Sequence, residues 1–592
     1  MKAQLHDLLA AALDRVLADT GADVRPAIQL DATKDPKFGD FQTNLALQLA
    51  KPLGQPPRAV AEQLVQALPG AGLIAKVEVA GPGFINFFLN QSAFQSVVTT
   101  VLEQGAQYGR DDSGSKGRVL VEFVSANPTG PMHVGHGRGA AYGDSMATLL
   151  AATGWTVWRE YYINDAGRQV DVLTISVWLR YLQAGGERID VPRRGYPADY
   201  IKRTADTLRA AHGAAFHKAA ADVLAGLPQD ATAPNGAGEA EKDAAKALQE
   251  RYLDALIERA KALLGSDYAT IQRIALDDQL ATIRKTLADF NVGFDQWTSE
   301  KALVDSGFVQ KALKRLAEQG LTYEKDGALW MKTESFGDEK DRVLVKADGA
   351  ATYYCNDLAY HVDKLDRGWT RLMDVWGADH HGYIARVRAA IEALTGRKDA
   401  LDVQLIQFVT LSSGRMGKRS GNFVTLQDLI DEAGTDATRF FYLTRSHDQH
   451  LEFDIDLARS QTNDNPVYYV QYAHARICRV FEQLREKGGS WSPDAAATTL
   501  HRLDNEHEKA LLTLLTRYPD LLQKAAAGGT PHTVVFFLKD LAEALHSYYN
   551  AQRFLLDEDV ELQTARLALI AATRQVIRNG LALLGVSAPE KM

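Results

Sequence analysis

Two histidines with two residues between them, His133 and His136, stand where a strand-like run gives way to a helical stretch. The apolar run 118–124 precedes them, and the small-residue stretch 139–150 follows. A strand, a glycine-containing turn and a helix present backbone N–H groups and a positive helix end to phosphate. Imidazole N–H groups there can donate hydrogen bonds to a phosphate that gains charge in a transition state. Gly135 has no Cβ and would let a nucleotide approach the backbone.

A second group of polar residues lies far downstream, on a glycine-flanked segment. Arg415, Lys418 and Arg419 occupy it, just before a helix predicted over 426–432. Either pattern alone is weak, because a His-x-Gly-His can be a chance or metal-binding pair and most basic loops are solvated turns. Their order and context favour a shared phosphate site.

Segments 125–136 and 415–422 resemble the two signature motifs of class I aminoacyl-tRNA synthetases, and the sequence around them resembles the arginyl-tRNA synthetase family. The resemblance covers essentially the whole chain and is strongest at 118–170, 341–445 and 460–476. It implies a reaction in two steps. The arginine carboxylate attacks the α-phosphate of ATP to give arginyl-adenylate and pyrophosphate, and the terminal ribose of tRNA(Arg) then attacks the activated carbonyl.

The resemblance assigns catalytic donor roles to His133, His136 and Lys418, in loops that close over ATP from opposite halves of one fold. The residues expected at ATP, which enters with Mg²⁺, are His133, Gly135, His136, Gly377, Asp379, His380, Arg415, Met416 and Lys418. The second motif departs from the usual Lys-Met-Ser-Lys-Ser, because Arg415 stands at the first lysine and a glycine at the first serine. Arginine keeps the charge but not the geometry, so the role of Arg415 stays open.

Selection of arginine needs anionic or hydrogen-bonding groups that face a planar guanidinium. By the family's motifs these are Tyr353 and Asp357, four residues apart, with Glu122 as a further contact and Asn127 at the α-amino or carboxyl end. Two alternatives remain at this level. Asp357 could cap a helix, and Glu122 could be a surface acid of its strand.

The run 377–383 departs from relatives that carry a glutamine for the substrate α-amino group after the same strand. Asp379, His380 and His381 could instead be zinc ligands together with an upstream acid. We expect no zinc here, and we expect Gly377 to let the backbone approach adenine or ribose, with Asp379 or His380 nearby. The α-amino contact of arginine is left open.

At 592 residues the chain should hold several domains. Helical stretches and a Gly-Pro-Gly hairpin indicate an N-terminal α+β domain at 1–112. Strand candidates separated by helices, among them 341–346, 353–355 and 371–376, indicate a Rossmann-type parallel sheet at 113–458 with a connective insertion at about 180–335. A helix-bundle domain follows at 459–592. The expected fold class is therefore multidomain α/β.

Contacts with tRNA are implied at both ends of the chain. In the N-terminal domain the resemblance implicates Phe38 and Asn44, although the alternative for Phe38 is a tight turn with core aromatics. In the C-terminal domain it implicates Tyr468, Tyr469, Tyr472 and Arg476. Aromatic side chains can stack on unpaired anticodon bases, but these tyrosines could equally be the core of a helix bundle.

Composition bounds these expectations. The formal net charge of −9 is awkward for a tRNA-binding protein, so contact with RNA would have to be local. Two cysteines fit a reducing cytoplasm and exclude a four-cysteine zinc site. No apolar run is long enough for a transmembrane helix, so no membrane partner is expected. A monomer is the family's default.

Two other functions remain open at this level. One is a different ligase or an adenylyl transferase of the same superfamily, although too few cysteines and no editing insertion argue against the cysteine and valine types. The other is a catalytically silent RNA-binding relative, which would have no need of intact His133, His136 and Lys418.

Overall fold

The computed structural model describes residues 1–20, 24–33, 35–70, 72–412 and 424–592. An α+β domain, a central α/β domain and a C-terminal helical domain follow one another along the chain. This architecture confirms the predicted fold class.

The N-terminal domain combines a four-stranded antiparallel sheet, in the order β1-β2-β4-β3, with helices that bury leucines against it. The Gly81-Pro-Gly83 turn joins β3 to β4, as the hairpin pattern predicted. Helix α4 leaves this domain and packs on the C-terminal helices. The elements are α1 (Lys2–Thr20), β1 (Asp31–Ala32), β2 (Phe41–Thr43), α2 (Leu45–Leu53), α3 (Pro57–Ala67), β3 (Ile74–Ala80), β4 (Phe84–Leu89) and α4 (Gln91–Gln104).

The central domain opens with β5 (Arg118–Glu122), α5 (Val134–Ala151) and β6 (Thr156–Ile163). Five helices with an apolar core of their own, which includes Trp178 and Tyr181, then leave the sheet. They are α6 (Arg168–Ala184), α7 (Asp199–His212), α8 (Ala220–Leu224), α9 (Glu239–Leu264) and α10 (Asp267–Asp289).

The chain returns to the sheet at β7 (Gln296–Ser299), which pairs in parallel with β6. The insertion expected over about 180–335 therefore contains one strand of the main sheet. A small antiparallel sheet follows, in the order β10-β9-β8. The elements of this part are α11 (Glu300–Asp305), α12 (Phe308–Glu318), β8 (Thr322–Lys325), β9 (Ala328–Met331) and β10 (Arg342–Val345).

The second half of the central domain completes a five-stranded parallel sheet in the order β12-β11-β5-β6-β7. The strand order reverses between β5 and β11, and ligands of such sheets bind in the crevice at the carboxyl ends of the strands beside this point. The elements are α13 (Tyr353–Asp366), β11 (Arg371–Gly377), α14 (Ile384–Thr395), β12 (Leu401–Ile406), β13 (Val409–Leu411), α15 (Leu426–Ala433), α16 (Thr435–Tyr442), β14 (Leu451–Phe453) and α17 (Ile455–Arg459).

Two of the strand candidates differ from expectation. Residues 353–355 form the first turn of α13, because the Thr352 side chain accepts a hydrogen bond from the Cys355 N–H and starts a helix there. This cap outweighs the strand preference of two tyrosines. The other candidate, 341–346, does contain a strand, but β10 belongs to the antiparallel sheet.

The C-terminal domain is a helix bundle whose first helix carries the predicted apolar face. Val470, Ile477 and Leu484 are buried on that face, and Phe481 is half-buried. The helices are α18 (Pro466–Glu486), α19 (Pro493–Ala496), α20 (Glu506–Gly528), α21 (His532–Ala551) and α22 (Val560–Leu583).

Candidate active site

His133 is the N-cap of α5, and its side chain is part of the helix start. Its Nδ1 accepts hydrogen bonds from the N–H groups of Gly135 (3.1 Å) and His136 (3.3 Å). The His133 N–H donates in turn to Nδ1 of His136 at 3.2 Å. The two imidazoles stack, with ring centroids 3.6 Å apart. This reciprocal arrangement uses histidines where capping boxes usually have Ser or Thr and Glu.

These contacts determine which nitrogen carries the proton in each ring. Because Nδ1 accepts a hydrogen bond in both rings, each neutral imidazole holds its proton on Nε2 and can donate from there. Burial lowers the pKa of His136 to about 3, and the neighbouring His133 adds to the shift. Partial desolvation also lowers the pKa of His133. Two neutral Nε2–H donors therefore stand at the positive end of α5 at neutral pH.

Gly135 is needed by the motif itself. A Cβ there would lie 2.9 Å from Cε1 of His133, so only glycine lets that side chain fold back over the first turn. Gly137 and Gly143 on the same helix approach other elements closely. A Cβ at Gly143 would lie 2.5 Å from Cβ of Phe123, just after β5.

The backbone between β5 and the histidines is strained. Val124 (φ 69°) and Ser125 (φ 40°) both have the left-handed conformation, which is rare for a β-branched residue. Ser125 holds the turn, because its Oγ donates to Glu122 at 2.9 Å and accepts from the Tyr162 N–H at 3.1 Å. Strain of this kind is concentrated at functional sites.

Asp357 lies on the second turn of α13, so it does not cap that helix, and Thr352 does. Its Oδ2 is buried and accepts no hydrogen bond of regular geometry from the described part of the chain, although the Tyr383 hydroxyl faces it. Burial raises the pKa of Asp357, and His361 opposes this shift. Tyr353, one turn earlier, is 75% exposed at the helix start.

Glu122 ends β5 and is not a surface acid, since its side chain is only 12% exposed. It accepts a hydrogen bond from the Lys364 ammonium at 2.5 Å. Burial raises the pKa of Glu122, and Lys364 opposes the shift. Lys364 is fully buried on α13 and also donates to Asp374 on β11 at 3.1 Å.

Three predicted arginine contacts lie near one further tyrosine, Tyr162, at the end of β6. Burial raises the pKa of Tyr162, and nearby Glu300, Glu122, Asp357 and Tyr353 raise it further. The structure thus groups Glu122, Tyr353 and Asp357 in one acidic cluster, called here the acidic pocket. Asn127, the fourth predicted contact, is exposed, and its side chain lies 3.1 Å from that of Asn164.

Several residues of this pocket escaped the sequence analysis: Glu160, Tyr162, Glu300, His361, Lys364 and Arg367. The patterns that we used follow one element at a time, whereas these side chains come together only when the helices pack against the strands. The signal that could have found Lys364 is its spacing of seven residues from Asp357, which places both on one helix face.

The residues predicted beside adenine or ribose follow β11. Gly377 ends that strand, and a Cβ there would lie 2.7 Å from Oδ1 of Asp379. Asp379 and His380 are exposed on the short turn after it. Among the described residues, no group of three or more His, Cys, Asp or Glu side chains could hold a metal ion.

Arg415, Met416 and Lys418 lie outside the described residues. Both ends of their segment are close to elements of the site. On one side, the Ser412 N–H donates to the Phe453 carbonyl at 3.1 Å. On the other, the Val134 N–H donates to the Val424 carbonyl, and a bridge pairs His133 with Thr425. The chain therefore re-enters the described part directly beside the first signature.

The C-terminal tRNA candidates form one aromatic cluster on α18 and α21. The rings of Tyr468 and Tyr472 stack at 5.9 Å, and those of Tyr469 and Tyr472 pack on His546. Arg476 lies over the Tyr472 ring and shares a 3.0 Å hydrogen bond with His546. All four candidates are half-buried.

The N-terminal candidates differ in exposure. Phe38 is 46% exposed, with the Lys37 ammonium over its ring. Asn44 is half-buried at the start of α2, where its Oδ1 accepts a hydrogen bond from Gln48. Within the described ranges, no helix is long and apolar enough to cross a membrane.

Comparison with known proteins gives the same assignment along the whole chain. Three family models match: the arginyl tRNA synthetase N-terminal domain (residues 3–89), the class I (R) tRNA synthetase catalytic domain (97–187 and 260–452) and the DALR anticodon binding domain (470–592).

Individual relatives agree with these models. The arginine–tRNA ligases of Thioalkalivibrio sulfidiphilus and Halorhodospira halophila are each 50% identical over the full length of both chains. The solved Thermus thermophilus arginyl-tRNA synthetase is 25% identical, covers both chains fully and superposes with a TM-score of 0.73.

Proposed function

The chain belongs to the arginyl-tRNA synthetase family, and from that premise we propose which of its residues carry the reaction. It ligates L-arginine to its tRNA, using ATP and passing through arginyl-adenylate, as class I enzymes do. The arginine carboxylate forms a bond to the α-phosphorus while the bond to pyrophosphate breaks. A ribose hydroxyl of the tRNA then attacks the carbonyl, and AMP leaves.

Phosphate is the first group that the site must stabilise. We assign His133 and His136 to it, because their neutral Nε2–H donors stand at the positive end of α5. Donors aimed at developing charge act without reorganisation, and removal of one such donor costs about 10²–10³ in rate. Lys418 lies outside the described residues, and we assign it by its motif to the phosphates, on the side opposite the two histidines. Arg415 and Met416 are assigned to ATP beside it. Gly377, Asp379 and His380 are assigned to adenosine.

Arginine recognition rests on one observation above the others. Asp357 keeps a buried carboxylate oxygen that receives no regular hydrogen bond from the described residues, in a pocket shared with Glu122 and Tyr353. A buried carboxylate oxygen without a hydrogen-bond donor costs free energy, unless a bound ligand supplies the missing donor. A guanidinium can do so with two parallel N–H bonds. Asn127 is assigned to the α-amino or carboxyl end of arginine.

The flanking domains are assigned to tRNA. We place Phe38 and Asn44 of the 1–112 domain on the tRNA body, and Tyr468, Tyr469, Tyr472 and Arg476 of the 459–592 domain on anticodon bases. The stacked rings with a cation beside them support the second assignment. The catalytic domain is taken as 113–458.

The remaining assignments follow from the reaction. Mg²⁺ enters with ATP, bound by phosphate oxygens, and the enzyme uses no zinc. A translation enzyme with two unpaired cysteines is assigned to the cytoplasm, and the chain acts as a monomer.

The experiment is aminoacylation of total bacterial tRNA with ATP, Mg²⁺ and each of the twenty amino acids separately. Acid-precipitable label is expected with arginine alone and not with citrulline, which replaces the guanidinium by a neutral group. Lys418→Ala should abolish it, whereas Lys487→Ala, at the exposed end of α18, should not.

Two results would contradict the proposal in different ways. Charging with another amino acid would overturn the roles of Asp357 and Tyr353 while the class I chemistry stands. Binding of tRNA without any charging would favour the catalytically silent relative.

A further inference from the structure

Three carboxylates lie side by side across the middle of the parallel sheet. Asp374 on β11 pairs in register with Glu122 on β5, which pairs in register with Glu160 on β6. Residues in register on neighbouring strands point to the same face of a sheet. Asp374 and Glu160 are almost completely inaccessible to solvent, and Glu122 nearly so. Buried carboxylates require partners of opposite charge.

Helix α13 covers this row with a matching row of basic side chains. His361, Lys364 and Arg367 recur every three residues, which places them along one helix face. His361 contacts Asp374 at 2.7 Å, and Lys364 contacts Glu122 at 2.5 Å. Arg367 binds Glu160 with two nitrogens, at 2.7 and 2.9 Å. Its Nε also forms an ion pair with Asp363, one turn earlier on α13.

The contacts of His361 leave no acceptor role for either ring nitrogen. Nδ1 lies 2.8 Å from the carbonyl oxygen of Asp357, which can only accept. Nε2 lies 2.7 Å from Oδ2 of Asp374, a carboxylate that Lys364 keeps ionised. Both nitrogens must therefore carry protons, and the ring is an imidazolium.

With His361 charged, three cations balance the three carboxylates of the row. Asp357 lies outside this balance, so its charge remains for a ligand, and its Oδ1 lies 3.6 Å from Nδ1 of His361. We propose, on the basis of the proposed function, that His361 is a positioning residue for arginine. As a fixed imidazolium, it keeps Asp357 ionised and oriented, so that the pocket binds a guanidinium and not a proton.

The groups around His361 are consistent with this charge. Asp357, Tyr360 and Lys364 face it from α13, Asp374 from β11, and Tyr383 reaches Asp357 from the turn after β11. Burial would lower the pKa of His361, but Asp374 and Asp357 raise it overall, against the opposing charge of Lys364. Without the imidazolium, the pKa of Asp357 would rise further, and a proton would compete with arginine.

The test is the pH dependence of KM for arginine in His361→Asn. The wild-type value should change less than about threefold between pH 6.5 and 8, because Asp357 stays ionised. In the variant, KM should be about tenfold higher at pH 6.5 than at pH 8, while KM for ATP and kcat at pH 8 change little. His217→Asn is the matched control, since it removes a histidine–carboxylate pair with Glu187 in the loops between the inserted helices.

A second readout does not depend on activity. With ¹³C-labelled histidine, the NMR signal that disappears in His361→Asn should have imidazolium shifts in the wild-type protein from pH 6 to 8. His361→Gln serves if the Asn variant does not fold. A neutral imidazole at pH 7 would overturn the proposal, and so would a KM raised by the same factor at every pH. If the wild type charges tRNA with another amino acid, the function fails separately and the spectrum still decides the state of His361.

Discussion

At the scale of single residues, His133 has two roles, one in capping a helix and a proposed one in binding phosphate, and substitutions can separate them. Its Nδ1 caps α5, while its Nε2–H is assigned to phosphate. His133→Asn keeps a good cap and loses the donor, so the thermal midpoint should hold while kcat falls about 100-fold. His133→Ala should show the same loss of kcat and an additional loss of about 1 kcal/mol in stability.

The comparison is made with initial rates of charging at saturating substrates and with thermal unfolding of both variants. Equal activity of His133→Asn and the wild type would contradict the donor role. Equal stability of His133→Ala and His133→Asn would contradict the capping role. Either result leaves the other conclusion intact.

At the scale of elements, the close approach of α5 to β5 depends on one glycine. A methyl group at Gly143 would overlap Phe123, whereas one at Gly139 on the same helix meets nothing within 4 Å in the described part of the chain outside that helix. Gly143→Ala should therefore destabilise the protein by about 1–3 kcal/mol. Gly139→Ala should be neutral or stabilise by up to about 1 kcal/mol, because alanine favours the helix.

Thermal unfolding of the two variants checks this pair directly. Since Gly143 lies on the helix that carries both signature histidines, its variant should also lose charging activity near the midpoint temperature of the wild type. Identical melting curves for the two variants would show that the contact between the helix and Phe123 is loose.

The start of α13 offers a second test of an element. Thr352→Ala removes the cap and should cost about 1 kcal/mol. Because Tyr353 and Asp357 lie on the first two turns, KM for arginine should rise by about threefold to tenfold, with KM for ATP unchanged. Thr352→Ser keeps the hydroxyl and should behave as the wild type in steady-state kinetics. A rise in KM for ATP alone would contradict the placement of arginine at this helix start.

Local patterns predicted some of these elements and missed others. The strand, turn and helix around His133 could be predicted because a glycine turn and apolar periodicity are short-range signals. Residues 353–355 were predicted as a strand, since two tyrosines favour one, and a single threonine hydroxyl decided otherwise. β7 escaped because four residues, Gln296–Ser299, are too few to show alternation.

Local patterns likewise predicted some residues of the candidate site and missed others. Asp357 and Glu122 could be nominated from motifs, whereas the ionic partners of Lys364 and His361 could not. Their partners lie on β5 and β11, so their charge state depends on a register between strands that are far apart in the chain. No pattern within one element contains that register.

At the scale of the whole molecule, Arg439 joins the catalytic domain to the last helix of the bundle. It is completely buried on α16 and donates to the carbonyls of Phe290 (2.9 Å) and Leu584 (2.8 Å) and to Asp144 on α5 (2.7 Å). Leu584 directly follows α22. One side chain thus connects the helix of the first signature to the end of the predicted anticodon-binding domain.

Arg439→Met should therefore uncouple the two domains. Among the described residues it leaves Arg159 as the cation at Asp144, and it removes the donor from buried carbonyls. Breaking a buried charged contact of this kind costs about 3–5 kcal/mol. We expect calorimetry to resolve two transitions, with the C-terminal domain unfolding first, and charging to fall before the catalytic domain melts. Arg479→Met, which removes two solvent-accessible ion pairs on α18, should change neither measurement. A single transition, shifted equally in both variants, would mean that helix packing alone couples the unfolding of the two domains. Arg439 would then make no specific contribution to that coupling.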